Sequence, residues 1–370
     1  SSTQHNLSAS GGNEKSKYRL SLGYLYDEGT LQWGNNSNEQ FNARLNNTFQ
    51  LTDRFSIESV ISASRRRQVA PTMINSVLGV SIPQPGLPAA TIDGKAYAWG
   101  GQRAPNWLAE LGGDNELIVT TFNINETFKY QLMKGLDFTG TFGYSTNGAS
   151  RDEQYNSIEW FSYNGQPHKG DSRYYPTADQ SSYKKTNART DNYSANAYLN
   201  YSKSLNEIHN FNLMAGTQYD FKQYDYSGSE ARNIMSELEV INGSGTIYLV
   251  APDKYEIATL SYFSRLNYDY KSKYLLDVNA RYDGSSKFRP ENRWKFFYGV
   301  SGGWRITEEA FAKGIKEYVD ELKLRASYGE VGNQNGISNY DGIQLYEYKA
   351  GSGAYIGSSN VTYIAAKKYL

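Results

Sequence analysis

The sequence of 370 residues lacks several features on which common classes of protein depend. It has no cysteine, which excludes disulfides, thiolate metal sites and thiol nucleophiles. Lysine plus arginine equals aspartate plus glutamate at 38 each, so the net charge gives no reason to expect a nucleic-acid partner. No run of about 18 apolar residues occurs, which excludes a membrane-spanning helix. A transmembrane barrel stays open, because each of its strands is only half apolar.

Catalytic and metal-binding motifs are also missing. The histidines His5, His168 and His209 are far apart in the chain, and none lies in an HxxxH or HExxH pattern. No GxSxG sequence follows an apolar strand. The sequence therefore predicts a protein that is not an enzyme and has no catalytic residue, metal site or cofactor. A hydrolase is the alternative, and it would need a nucleophile and a base on one wall of the fold.

What the chain does contain is 33 tyrosines, 15 phenylalanines and a strict alternation of apolar and polar residues. Between residues 274 and 329, three segments alternate one for one. In the first, Tyr274, Leu276 and Val278 share one face, while Asp277, Asn279 and Arg281 share the other. A period of two marks strands with one apolar and one polar face. Such strands build either a soluble sheet or a barrel wall with lipid outside and water inside.

The alternation recurs along almost the whole chain and predicts about a dozen strands, with weaker segments at 5–10 and 343–348. Many have nine or more residues, the length that crosses a bilayer at a tilt. Tyrosine and phenylalanine lie near the strand ends on the apolar face, as in the aromatic girdles of outer-membrane barrels. These residues are Tyr18, Tyr26, Phe41, Tyr130, Tyr144, Tyr201, Tyr268, Tyr274 and Tyr282.

The connections between these strands alternate between short and long. GGNEKSK, QLTDR, MKG, SLNEIH and YKSK are short, and the longer segments between them are 27–39, 65–115, 147–190, 222–256 and 283–293. Outer-membrane barrels have short periplasmic turns and long extracellular loops, so the alternation favours a barrel over a soluble β-sandwich. One inner connection, 307–321, is longer, and its apolar spacing predicts a short amphipathic helix.

Two long motifs carry a resemblance to a known family. HNLSASGGNEKSKYRLSLGYL resembles an early-barrel signature of the SusC/RagA family of TonB-dependent outer-membrane transporters. ARYDGSSKFRPENRWKFFYGVSGGWRITEEAF, followed by LKLRASYGEVGNQ, resembles a later-barrel signature of the same family. The resemblance implies an all-β fold, an antiparallel transmembrane β-barrel of roughly 22 strands with long extracellular loops. Ser1–Leu370 would be one partial barrel domain, with the plug, the TonB box and the remaining strands outside it.

The same resemblance implies a function in the outer membrane of a Gram-negative bacterium. The family imports large nutrients, mostly oligosaccharides and in some members peptides. The energy comes through TonB, and a SusD-like surface lipoprotein closes the outer mouth. The implied partners are therefore this lipoprotein, TonB, the nutrient and the lipid bilayer. A passive outer-membrane porin and a soluble β-sandwich that binds glycans stay as alternatives.

Two sets of residues are candidates for contact with a transported molecule. Aromatic residues in the long loops offer flat apolar faces beside polar neighbours, which suits sugars: Trp99, Trp107, Trp160, Tyr163, Tyr174 and Tyr175. They could instead pack the loops together or against the lipoprotein. Charged residues of the polar faces would line a wet lumen: Arg265, Asp277, Arg281, Arg305 and Arg325. They could equally hydrogen-bond the plug and one another.

Overall fold

The computed structural model describes most of the chain. The described residues are 1–79, 90–91, 93–99, 102–103, 105–167, 181–234, 241, 246–312, 314 and 318–340, with four short strands between 345 and 367. The strands are β1 (Ser2–Gly12), β2 (Ser16–Glu28), β3 (Ser37–Thr52), β4 (Phe55–Pro71), β5 (Ala98–Trp99), β6 (Gln102–Arg103), β7 (Asp114–Met133), β8 (Leu136–Tyr155), β9 (Ser182–Leu205), β10 (His209–Arg232), β11 (Thr246–Tyr270), β12 (Tyr274–Ser285), β13 (Trp294–Arg305), β14 (Lys323–Gly329), β15 (Leu345–Tyr348), β16 (Tyr355–Ile356), β17 (Ser359–Asn360) and β18 (Ile364–Lys367). The α-helices are α1 (Ile74–Gly79) and α2 (Pro105–Leu111).

One antiparallel sheet of 12 strands dominates the structure, in the order β1 to β4 and then β7 to β14. Consecutive strands of this sheet pair with each other, and β4 pairs with β7 because β5 and β6 form a separate pair. The remaining short strands form separate two-stranded pairs. Within the described residues, none of the helices is long and apolar enough to cross a membrane.

The sheet has an apolar face and a polar face, because side chains alternate along each strand. The cross-strand register places apolar residues of neighbouring strands side by side: Leu22 pairs with Ala43, and Ala43 pairs with Ala63. Many large apolar side chains of the apolar face are exposed, among them Leu20, Leu22, Phe41, Tyr219, Tyr282 and Val300. A soluble sheet would cover such a surface, whereas a barrel wall presents it to lipid.

Aromatic rings on the apolar face form two rows. One row crosses four strands, with Phe122, Tyr144, Tyr193 and Phe221 at centroid distances of 6.5, 4.9 and 6.1 Å. Near the other end of the strands, a second row includes the pairs Phe55–Tyr130, Phe211–Tyr268 and Tyr270–Tyr274. On β7, Phe122 and Tyr130 are separated by eight residues. That separation is about 27 Å of extended chain, close to the height of an apolar band once the strand tilts.

The two ends of the sheet differ in their connections. At the turn end, residues 13–15, 53–54, 134–135, 206–208 and 271–273 join consecutive strands. At the loop end lie the longer connections, which begin after β2, β4, β8, β10 and β12. Both Asn206 and Glu207 have positive φ angles, as do Lys271 and Ser272. Two consecutive positive φ angles mark the hairpin turn whose twist matches that of the strands.

The strands at the loop end are longer than the sequence predicts. β9 and β10 have 24 residues each and β11 has 25, so parts of the expected loops 147–190 and 222–256 are strand. Both faces are polar there, as in Lys184–Lys185 beside Asp152–Glu153, and the apolar alternation is lost. Backbone hydrogen bonds to the neighbouring strands continue at the loop end although the apolar alternation is absent there.

The predictions for the two weak strand segments and for the connection 307–321 have different outcomes. The weak segment 5–10 is confirmed and extends to the whole of β1, whereas 343–348 does not contribute a strand to the main sheet, because β15 pairs with β18 instead. The helix predicted over 307–321 is wrong for the described residues. Two 3₁₀ turns, Ile306–Glu308 and Ala310–Ala312, are present, and the extended backbone of Glu309 interrupts them. Residues 313 and 315–317 lie outside the described part.

Candidate functional site

The polar face carries a lattice of charged and amide side chains across β10, β11 and β12. Its centre is Asp277, whose carboxylate accepts bonds from Arg265 Nε at 2.9 Å and from Arg265 Nη2 at 2.7 Å. Asn267 and Asn279 also donate to Asp277. Four donors from one guanidinium and two amides satisfy both carboxylate oxygens and hold this side chain in one orientation.

A second guanidinium, that of Arg281, extends the lattice toward the loop end. Arg281 donates to Asp283 at 2.6 Å, to Gln218 at 3.2 Å and to Ser261 at 2.9 Å. Its partners lie on three strands, and Ser261 is buried. The sequence predicts Arg265, Asp277 and Arg281 as lining residues, and the structure brings all three together on the polar face. Arg265 bonds Asp277, and Arg281 bonds Asp283, as in the alternative in which such charges hydrogen-bond one another.

The lattice borders a cleft of about 720 Å³ on the polar face between β9 and β14. Lys323 and Arg325 line the cleft from β14, beside Asp277 and Arg265. Among the described residues, neither Lys323 nor Arg325 has an anionic partner, so this edge of the cleft presents positive charge. Arg305 lies at the turn end and pairs with Glu321 at 3.3 Å, outside the set of residues that line the cleft.

The polar face also carries an aromatic pair that the sequence pattern does not predict. Tyr198 and Phe263 approach each other across β10 with ring centroids 6.4 Å apart. Gly216 lies between them, and a Cβ there would come within 2.5 Å of Tyr198 and 2.9 Å of Phe263. These rings share a recess of about 440 Å³ with Arg281 and Gln218. This pair could have been recognised in the sequence, because each aromatic residue occupies a polar position of the alternation and lies opposite a glycine.

At the loop end, segments far apart in sequence form a compact unit. A buried cluster joins α1, α2 and the connection after β8: Met73, Val77, Ala96, Ala98, Leu108, Ala109, Ile158 and Trp160. Ala98 N–H donates to Phe161 O at 3.0 Å, and Phe161 N–H donates to Ala96 O at 2.9 Å. Two long loops are therefore held to each other by backbone bonds and by an apolar core.

This unit places the aromatic candidates in different environments. Trp160 is only 6% exposed inside the cluster, and Trp107 packs against it. Tyr163 is 53% exposed and meets Tyr97 edge to face at 6.2 Å. Loop packing thus accounts for the two tryptophans, whereas Tyr163 presents its ring to solvent. The side chain of Trp99, and the whole of Tyr174 and Tyr175, lie outside the described residues, so their assignment stays a prediction.

Glu309 joins three elements at the turn end. Tyr274 Oη donates to it at 2.7 Å, Lys273 Nζ at 3.0 Å and Trp304 Nε1 at 3.2 Å. The bonds from Tyr274, Lys273 and Trp304 lower the pKa of the Glu309 carboxyl below its ordinary value, against a smaller effect of desolvation. The carboxylate connects the turn before β12, the end of β13 and the connection that follows. Its role in the structure is therefore to fix this inner connection.

No metal-binding group of histidine, aspartate and glutamate occurs among the described residues. His209 contacts Tyr268 Oη at 2.8 Å on the apolar face, and His5 stacks near Tyr24. His168 lies outside the described part. The absence of an enzyme site and of a cofactor stays a prediction.

Comparison with known proteins gives homologues over almost the whole chain. No protein-family model matches it. The TonB-dependent receptor P39 of Formosa agariphila is 28% identical over 358 residues, 93% of this chain and 32% of that protein. The TonB-dependent receptor SusC of Bacteroides thetaiotaomicron is 25% identical over 373 residues, 93% of this chain and 35% of that protein. The chain thus spans about a third of the length of these relatives.

Solved structures show the same fold. The RagAB peptide transporter matches with a TM-score of 0.74 and 19% identity, covering all of this chain and 40% of that chain. The outer-membrane transporter YddB of Escherichia coli matches with a TM-score of 0.54 and 11% identity over 89% of this chain and 38% of that chain. The sheet thus has the fold of part of the barrel wall in these transporters. The chain is a homologue of TonB-dependent receptors that include SusC, as its two long motifs predict.

Proposed function

We propose that this chain is part of an active importer in the outer membrane of a Gram-negative bacterium. The observation that carries the proposal is the 12-stranded antiparallel sheet itself, with turns at one end and packed loops at the other, shared with TonB-dependent receptors. Its apolar face contacts lipid and its polar face lines the lumen. The whole of Ser1–Leu370 is then one partial barrel domain, and the plug and TonB box belong to other parts of the protein.

We assign large oligosaccharides as the first candidate substrate and peptides as the second. Tyr163 offers an exposed aromatic ring, which is the kind of surface on which a sugar ring stacks. The positive edge of the cleft at Lys323 and Arg325 would favour acidic groups, whether on a glycan or on a peptide. RagAB is described as a peptide transporter, and that relative supports keeping peptides as the alternative. A SusD-like lipoprotein would close the loop end.

Uptake by intact cells tests the proposal directly. Cells carrying or lacking the complete gene receive fluorescent oligosaccharides and peptides of increasing length, in strains with and without functional TonB. Active import predicts accumulation that requires both the gene and TonB. Accumulation that persists without TonB would instead support the porin alternative, and recovery of the protein in the soluble fraction would support a β-sandwich.

The residues are tested in the same assay. Tyr163→Ala is expected to weaken uptake at low substrate concentration and leave the amount of protein in the membrane unchanged. Tyr163→Phe keeps the ring and serves as the matched control, since stacking needs the ring and not the hydroxyl. Equal uptake by the two variants would remove Tyr163 from the substrate path.

A further inference from the structure

One row of cross-strand partners on the polar face combines aromatic rings with a guanidinium. Gly216 of β10 pairs with Tyr198 of β9 on one side and with Phe263 of β11 on the other. Phe263 in turn pairs with Arg281 of β12. The next row toward the loop end is polar throughout: Asn196, Gln218, Ser261 and Asp283. Four adjacent strands thus place two rings, a glycine and a guanidinium side by side, with amide and hydroxyl groups next to them.

The row lies at the middle of the wall. Gly216 is five residues from Phe221 of one aromatic row of the apolar face and five from Phe211 of the other. Anchoring rings belong at the two membrane interfaces, so the lipid boundary does not explain rings at this height on the opposite face. Tyr198 and Phe263 are both partly exposed, and neither belongs to a buried cluster of the described residues. Their rings therefore face the polar side of the wall.

Hydrogen-bond donors and acceptors beside the rings are left over. The Nε and Nη2 atoms of Arg281 are fixed by three partners on three strands: Asp283, Gln218 and Ser261. Its Nη1 atom makes no hydrogen bond within the described part of the chain. The Tyr198 hydroxyl and the Asn196 amide, which line the same recess, also have no hydrogen-bond partner among the described residues. The guanidinium is thus held rigidly while one of its nitrogens stays available to a ligand.

The recess carries no net charge. Arg281 pairs with Asp283 at 2.6 Å, and Arg265, which also lines the recess, pairs with Asp277 at 2.7 Å. Its volume of about 440 Å³ is within the range of about 300–1,000 Å³ that small-molecule sites have. Flat rings beside neutral amides and a neutralised guanidinium suit a ligand with an apolar face and several hydroxyl groups.

We propose that this recess is a subsite for a neutral pyranosyl ring of an oligosaccharide that passes through the lumen. The inference rests on the proposed import function and names a class of substrate for it. The apolar face of the sugar stacks on Tyr198 or Phe263, and its hydroxyl groups bond Arg281 Nη1 and the Asn196 amide. The subsite is separate from Tyr163 at the loop end and from the positive edge of the larger cleft.

The geometry of a barrel gives the row a direction along the lumen. Cross-strand partners lie perpendicular to the strands, and the strands of outer-membrane barrels tilt by about 35–45° from the barrel axis. A row of partners therefore climbs the wall. From Tyr198 to Arg281 the row crosses three strand spacings, about 14 Å, and rises about 9 Å along the axis. A sugar that moves from Tyr198 to Phe263, whose ring centroids are 6.4 Å apart, thus advances along the lumen.

Site-directed cross-linking in the complete protein tests whether a sugar occupies the recess. Met214→4-benzoylphenylalanine places a photoreactive group at the recess, and Thr139→4-benzoylphenylalanine is the matched control. Thr139 pairs with Tyr198 across the strands and lies outside the residues that line the recess. Cells with and without functional TonB receive biotin-labelled oligosaccharides of glucose, mannose or xylose and are illuminated during uptake. The proposal predicts TonB-dependent sugar adducts at position 214 and few at position 139.

Uptake kinetics test the contribution of the rings. Tyr198→Ala is expected to lower the initial rate of neutral oligosaccharide uptake about fivefold below half-saturation, which is the effect of losing one stacked ring. Tyr198→Phe keeps the ring and should lower the rate less than about twofold. Thr139→Ala should leave it unchanged. The amount of each variant in the membrane and the sensitivity of the cells to vancomycin should also stay unchanged, because loosened packing in the lumen would alter them.

Several results would overturn the proposal. They are adducts at position 214 only to other segments of the protein, equal sugar adducts at both positions, uptake of peptides without neutral oligosaccharides, and equal uptake by Tyr198→Ala and Tyr198→Phe. Raised vancomycin sensitivity in Tyr198→Ala would assign the ring to packing and would overturn it as well. In each of these cases TonB-dependent import itself still stands. Loss of TonB-dependent accumulation of every cargo in the native protein would reject the import function and this subsite together.

Discussion

Strands β9 and β10 are joined by residues 206–208, whereas β8 and β9 are separated by 156–181. The turn end of the sheet is built from a few residues with suitable backbone angles and one carboxylate, Glu309. The loop end depends on a buried cluster whose members come from both sides of β7 and β8. Local chemistry determines one end of the wall, and contacts between distant segments determine the other.

The two ends therefore differ in what holds their side chains in place. At the turn end, five of the connections have only two or three residues, and the connection 306–322 after β13 is the long one. A loop end with its own core can hold exposed side chains such as Tyr163 in fixed positions. Substitutions at the two ends should therefore have separable effects.

The largest effect is expected from Trp160→Ala, which removes a large buried side chain from the loop cluster. Such a change costs about 3–5 kcal/mol in the unit that contains it. Hydrogen exchange of α2 and of Ile158 should rise strongly, while exchange of β9 to β12 stays slow. Tyr163→Ala is the matched control and should change stability by less than about 0.5 kcal/mol. Unchanged exchange of α2 in Trp160→Ala would show that the cluster does not hold the loops.

A smaller effect is expected at the turn end from Gly135→Ala. Gly135 has a φ of 83°, and a Cβ there would lie 2.5 Å from Ser202 O. The strain should lower the free energy of unfolding by about 1–3 kcal/mol. Urea unfolding in lipid vesicles measures it. Gly302→Ala is the control, because a Cβ at Gly302 meets no atom within 4 Å. Equal midpoints for both variants would contradict the role given to the turn.

Between the two ends, Asp277→Asn should cost about 1 kcal/mol, because it leaves the half-exposed Arg265 without its charge partner. Glu58→Gln breaks a more exposed pair with Lys129 and should cost less. The two unfolding free energies, compared in the same vesicles, test whether the lattice around Asp277 stabilises the wall. A larger loss from Glu58→Gln would contradict this.

The smallest effect concerns pH at the turn end. Because the pKa of Glu309 is lower in the folded protein than its ordinary value of 4.5, its contribution to stability is complete above that value and is lost as the pH falls through the folded pKa. The protection of the amides of residues 271–273 against hydrogen exchange, relative to the unfolded chain at the same pH, should therefore fall below the ordinary value. Glu309→Gln should remove this pH dependence, whereas Glu330→Gln, an exposed site, should keep it. An unchanged profile in Glu309→Gln would assign the dependence to another group.

Much of the wall could be predicted from the sequence because the physical rule is local. Each residue of a strand in a barrel faces either lipid or the lumen. The faces on which Leu22, Ala43 and Asp277 lie can therefore be predicted from alternation alone. The tight turns follow from the short stretches between alternating segments. The two long motifs predicted the resemblance to TonB-dependent transporters, and the homologues confirm that resemblance.

The local rule failed where a residue has another partner. The spacing of residues 307–321 is helical, but Glu309 holds this connection through Tyr274, Lys273 and Trp304, and its described part contains 3₁₀ turns instead. Tyr198 and Phe263 sit on the polar face because Gly216 leaves room for them. Neither arrangement can be predicted from the residues of one strand.

The sequence by itself determined the sheet and its two faces, since alternation and turn length depend on adjacent residues, and its two long motifs indicated the similarity to TonB-dependent receptors. Only the tertiary structure decided which candidate aromatics are buried and which are exposed. It also decided how the charged side chains of the polar face pair with one another. The physical reason is that burial and pairing depend on residues brought together from distant parts of the chain.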